Sequence, residues 1–89
     1  MNVRFEARFS KDLRRIQDGK LLTRIKELII SCKEIESLNE ISQVKKLRGY
    51  DTFYRVRIGD YRIGLELVQG ELVFVRCLHR KEVYRYFPR

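Results

Sequence analysis

Residues 53 to 58 and 61 to 67 alternate. In 53–58, FYRVRI, Tyr54, Val56 and Ile58 fall on one side and Phe53, Arg55 and Arg57 on the other, the period of two that marks a half-buried strand. Gly59-Asp60 then supplies a two-residue hairpin turn, and the next run sets Tyr61, Ile63, Leu65 and Leu67 against Arg62, Gly64 and Glu66. After a weaker turn signal at Gln69-Gly70, residues 71–79, ELVFVRCLH, are apolar on both faces apart from Arg76, as in a central strand. Such a meander commits the C-terminal half to an antiparallel sheet. With 89 residues in all, there is room around it for one small domain over 1–89. A barrel, a doubly wound sheet or a two-domain cofactor enzyme does not fit.

The N-terminal half supplies what covers that sheet. Val3, Phe5 and Ala7 alternate with Arg4, Glu6 and Arg8, which predicts a first strand over 2–8. Ser10 reads as an N-cap for a short helix with Leu13 and Ile16, interrupted at Gly19. From Lys20, the residues Leu21, Ile25, Leu28, Cys32 and Ile35 recur at helical spacing, widened by Leu22 and Ile29. Leu38, Ile41 and Val44 keep a weak helical spacing before the turn Gly49-Tyr50-Asp51. The tail RKEVYRYF groups Val83, Tyr86 and Phe87 on one side of a short helix that Pro88 prevents from continuing. The expected fold is α+β: a mostly antiparallel four-stranded sheet, two N-terminal helices on one face, a short C-terminal helix, and order β-α-α-β-β-β-α. The second sheet face is expected to stay partly open.

Cys32 and Cys77 sit among apolar neighbours, and two isolated cysteines make neither a zinc site nor a disulfide framework. With one histidine and no carboxylate cluster, no metal or organic cofactor is expected. The N-terminus lacks a signal-peptide apolar run, and no stretch approaches the roughly 18 apolar residues of a membrane span. The expected location is the cytoplasm, with no membrane partner.

Charge narrows the function. The net charge is +8, and residues 44–89 hold 11 basic and 5 acidic side chains against 9 and 7 in residues 1–43. Thirteen of the 20 basic residues are arginine, whose planar fork suits phosphate oxygens. Alternation places Arg55 and Arg57 on one face of their strand and Arg62 on the matching face of the next. Converging guanidinium groups repel unless an anion sits among them, and the only acid on that face of either strand is Glu66. A polyanion is therefore the expected partner, ahead of a merely solvated face. His79 and Arg80 close the third strand, with Tyr84 just beyond, beside the arginine face.

The stretch KLRGYDTFYRVRIGDYRIGLEL followed by VFVRCLHRKEVYRYF resembles the RelE/ParE superfamily of toxins from toxin-antitoxin pairs. The resemblance rests on the LRG, Tyr-basic-hydrophobic-basic, GDYR and HRxxVY elements in order and covers nearly the whole chain. RelE-like members are ribosome-dependent endoribonucleases that cut mRNA in the decoding site by attack of a ribose 2′-hydroxyl on the adjacent phosphate. The resemblance implies Arg62, Arg80 and Tyr84 as catalytic residues, with His79 a second candidate acid or base. It implies Arg55 and Arg57 as phosphate holders. Lys45, Lys46, Arg48, Lys81 and Arg85 are expected to extend the RNA-binding surface. The match departs from the pattern at one point: the best-studied RelE type carries lysines at the sheet pair, whereas arginine stays protonated and does not act as a base. The general-base role therefore does not carry over to Arg55 or Arg57.

Two other readings keep the same fold. ParE members inhibit DNA gyrase and cut no RNA, and an inactive basic protein-binding module would share the charge. The resemblance also implies a cognate acidic antitoxin, joined to the toxin in a hetero-oligomer and helped by exposed apolar helix residues such as Ile30, with the ribosome and mRNA as the other partners.

Overall fold

In the computed structural model, which describes residues 1–88, the chain runs β1 (Asn2–Phe5), α1 (Ala7–Arg14), α2 (Gly19–Glu34), a single 3-10 turn (Leu38–Glu40), β2 (Val44–Lys46), β3 (Phe53–Ile58), β4 (Tyr61–Val68), β5 (Glu71–His79) and α3 (Val83–Tyr86). Both hairpin signals form as expected: Gly59 takes φ 56°, and Gln69 and Gly70 take 49° and 79°, the left-handed region that tight turns between strands require.

The sheet order is β1-β5-β4-β3-β2, with β1 parallel to β5 and the rest antiparallel. It has five strands, not four. The spacing of Leu38, Ile41 and Val44 that suggested a helix resolves into the 3-10 turn and the three-residue strand β2, which pairs with β3 through Val44↔Val56, Lys45↔Arg55 and Lys46↔Tyr54. Three residues are too few to show a period.

The first strand stops at Phe5. Ala7 already belongs to α1, because Phe9 and Asp12 fall at helical spacing and both are buried. Glu6, not Ser10, stands at the helix N-cap. The interruption at Gly19 is the start of α2, where Asp18 caps by accepting from the amides of Lys20 and Leu21 at 3.0 and 3.2 Å. Among the described residues no helix is long and apolar enough to cross a membrane.

Helices α1 and α2 cover one sheet face. There Phe9, Ile25, Cys32, Val56, Ile63, Leu65, Leu72 and Phe74 form the main core. The opposite face carries a second, smaller cluster of Leu47, Val73, Val75, Leu78, Val83 and Phe87, closed over by α3. Burying each such side chain contributes about 1.5–3 kcal/mol, so the second cluster suffices to pin a four-residue helix that propensity alone would not hold.

An irregularity in the β4–β5 pairing decides where the end of β5 points. Gly64 pairs with Arg76 and Leu65 with Phe74, so Val75 is an extra residue. Before it, Leu72 and Phe74 face the main core; after it, Cys77 does, and Val73, Val75 and Leu78 line the second face. The bulge thus inverts the alternation for residues 77–79.

Candidate functional site

Arg57 and Arg62 are direct cross-strand partners, and Arg55 lies opposite Gly64. All three share the face that α3 only partly covers. Strand β2 adds Lys45 to it, directly opposite Arg55. Lys46, opposite Tyr54, belongs to the other face. Two cross-strand pairs of like charge on one face are destabilising by themselves. Among the described residues no carboxylate forms an ion pair with Arg55, Arg57 or Arg62.

Arg62 is the centre of the group. Burial first, then repulsion from the Arg55 and Arg57 guanidiniums, pulls its pKa below the usual arginine range; Arg80 adds to the lowering, and only Tyr84 opposes it. The four side chains that act on Arg62 are thus the ones the sequence had grouped with it. The Arg62 guanidinium folds back on the hairpin, donating from Nη1 to the carbonyls of Gly59 at 2.9 Å and Tyr61 at 3.0 Å. Arg80 reaches the same hairpin: its amide donates to the Asp60 carbonyl at 2.7 Å, and its Nε stands 3.7 Å from the Asp60 carboxylate. Tyr84, at 61% exposure, projects from α3 with its ring free to stack.

His79 does not join them. It pairs with Tyr61, on the face opposite Arg62, with the two rings edge to face at 5.5 Å. It lines a cavity of about 100 Å³ with Asp12, Arg15, Ile16, Tyr61 and Glu82 on the helix side. The bulge is the physical reason. Arg48, Lys81 and Arg85 are exposed around the rim, Arg48 in the loop after β2, Lys81 in the turn before α3 and Arg85 beside Tyr84 on α3.

Two supports of the site were missed in the sequence. Asp12, 5% exposed, accepts from Arg76 Nε at 2.8 Å, Arg76 Nη2 at 3.0 Å and the Cys77 amide at 2.9 Å. It caps the edge of β5 where β1 has ended, and Arg76 in turn lies over the Tyr86 ring of α3 at 5.7 Å. The signals existed: one acid among the apolar positions of α1, and one arginine in an apolar strand. The second support is Phe87, whose ring sits on Gly64, edge-on to Phe53, which is itself edge-on to Tyr50.

Geometrically, the site is a shallow cationic face with an aromatic at its end. Fixed guanidiniums of this kind bind phosphate oxygens and stabilise charge that builds on phosphorus.

The chain's relatives agree with this reading of the fold. A family model described as the ParE toxin of type II toxin-antitoxin system, parDE, matches residues 3–84. Toxin RelE3 of Methanocaldococcus jannaschii is 44% identical over 89 residues, covering 99% of this chain and all of that protein. Putative toxin RelE1 of the same organism is 34% identical over 82 residues, covering 91% of this chain and 90% of that one. The crystal structure of the RelB-RelE antitoxin-toxin complex from Methanococcus jannaschii superposes with a TM-score of 0.83 at 42% identity, covering 96% of this chain and 99% of that one. The YoeB dimer from Staphylococcus aureus, at 20% identity, shares the fold with a TM-score of 0.72, over 89% of this chain and 95% of that one. The chain therefore belongs to the RelE/ParE superfamily of toxins of type II toxin-antitoxin systems.

Proposed function

We propose that this toxin is an endoribonuclease that cuts mRNA in the decoding site of the ribosome. The observation that carries the reading is Arg62, ringed by Arg55, Arg57 and Arg80 and facing Tyr84, on an open sheet face where, among the described residues, no carboxylate forms an ion pair with Arg55, Arg57 or Arg62. Arg55 and Arg57, with Lys45 beside them, hold the flanking phosphates; Arg62 and Arg80 stabilise the charge of the pentacoordinate transition state. The ribose 2′-oxygen forms a bond to phosphorus as the bond from phosphorus to the 5′-oxygen breaks. The products are a 2′,3′-cyclic phosphate and a free 5′-hydroxyl. DNA, lacking the 2′-hydroxyl, is no substrate. Tyr84 stacks on a base and, as the tyrosine whose hydroxyl acts on Arg62, is the group assigned to proton transfer. The ribosome supplies much of the positioning that so shallow a face lacks.

A nuclease of this kind requires a restraint. One solved relative, 42% identical, is a complex of toxin with RelB antitoxin. An acidic antitoxin segment laid over the +8 toxin would neutralise the arginine face directly.

An in vitro translation reaction with purified toxin, followed by primer extension on the message, tests the reading. Ribosome-dependent cuts within the decoding-site codon are expected. The matching family model, that of ParE toxins, favours gyrase inhibition as the second reading. Intact mRNA together with arrested DNA supercoiling would establish it.

A further inference from the structure

Three consecutive amides lead from β5 into α3, and each has an acceptor. The Arg80 amide donates to the Asp60 carbonyl at 2.7 Å, the Lys81 amide to His79 Nδ1 at 3.2 Å, and the Glu82 amide to the His79 carbonyl at 2.8 Å. His79 thus accepts two of the three bonds that shape this turn. Arg80 lies within it, and Tyr84 follows two residues later. In this arrangement Nδ1 is the accepting ring nitrogen, and Nε2 makes no part of the turn. The edge-to-face contact with Tyr61 holds the ring in that orientation.

We propose that His79 is a positioning residue for the arginine face: its Nδ1, by accepting the Lys81 amide, sets the turn that presents Arg80 and Tyr84 to the substrate. Its ring takes no part in proton transfer, because it lies on the opposite face of the sheet from Arg62. The inference rests on the nuclease reading for its effect on cleavage, but its geometric half stands independently.

The test compares His79→Asn, His79→Gln and His79→Ala in the full chain. Asparagine places its amide oxygen near the position of Nδ1, whereas glutamine reaches toward that of Nε2. Two measurements are made: hydrogen exchange at the Lys81 amide, and kcat and KM for ribosome-dependent cleavage. His79→Asn is expected to keep Lys81 protected and to cut within about threefold of wild type. His79→Gln and His79→Ala are expected to expose Lys81 and to lower kcat on the order of 10- to 100-fold with little change in KM, the cost of small misplacements at a reacting centre. Loss of activity in the asparagine variant with Lys81 still protected would overturn the proposal in favour of ring chemistry at Nε2. Wild-type cleavage in all three would also overturn it. Should wild-type toxin leave ribosomal mRNA intact, the nuclease reading fails, and Lys81 exchange alone decides the positioning role of Nδ1.

Discussion

The Phe87 ring occupies the space that any side chain at residue 64 would need: a Cβ on Gly64 would come within 2.6 Å of its Cδ1 and Cε1. Gly64 is the cross-strand partner of Arg55, so the missing side chain does two jobs. It opens a slot in the sheet that seats the end of α3, and that seat sets how far Tyr84 stands from the arginines.

Gly64→Ala should therefore displace the ring and loosen α3. Overpacking of this kind costs about 1–3 kcal/mol. Urea denaturation reads the loss, and cleavage should fall with it. An alanine variant as stable as wild type would show that Phe87 yields without cost.

Arg57 opposite Arg62 implies a trade between stability and function. Arg57→Gln removes a like-charge pair and should raise stability by a few tenths of a kcal/mol while weakening cleavage. The gain should shrink as salt screens the repulsion. A loss of stability at low salt would show that the pair is not repulsive in the folded protein.

The hairpins and the arginine face were legible because they depend on local signals: a period of two between turn residues. What the sequence concealed was non-local. Strand β2 is too short to show a period, and β1 pairs in parallel with a strand nearly 70 residues away, which no local pattern announces. The placement of His79 failed for one extra residue: straight alternation from Leu72 and Phe74 puts it with Arg62, and the bulge at Val75 puts it with Tyr61. The helix-like spacing of Leu38, Ile41 and Val44 is real, since Leu38 and Ile41 are both buried in the main core. It belongs to a 3-10 turn and a strand that share that core.

Asp12 and Arg76 should be indispensable to the fold. Asp12→Ala leaves a mostly buried guanidinium without its carboxylate and the buried Cys77 amide without an acceptor, and removing one partner of a buried pair costs about 3–5 kcal/mol. Chemical denaturation should show it. A loss below about 1 kcal/mol would mean that water replaces the carboxylate.

Both thiols should be silent in the native state. Burial pushes the Cys32 thiol up to about 11 and, with help from the Asp12 charge, the Cys77 thiol up to about 12, from an ordinary 9.0. Because the folded values are raised, the stability linked to them is fully present below about pH 9 and is lost as pH rises toward 11–12. Unfolding midpoints should fall over that window, and a thiol reagent at pH 8 should label neither cysteine until denaturant is added. Rapid labelling of native protein would contradict the burial.

Tyr84 offers the sharpest division of roles, because its ring and its hydroxyl are separable. Tyr84→Phe keeps a stacking face and loses the hydroxyl of the tyrosine that acts on Arg62; Tyr84→Ala loses both. If the hydroxyl moves a proton, the phenylalanine variant should bind ribosomes normally and cut about 100-fold more slowly, the usual scale of general acid-base catalysis. The alanine variant should lose binding of the decoding-site base as well, a stacking contribution of about 1–3 kcal/mol. In cells, Arg62→Ala and Tyr84→Ala should both abolish growth arrest. Full toxicity in both variants would remove the arginine face from the mechanism, whereas wild-type cleavage by Tyr84→Phe alone would reduce Tyr84 to a stacking platform and leave charge stabilisation by Arg62 and Arg80 as the source of the rate.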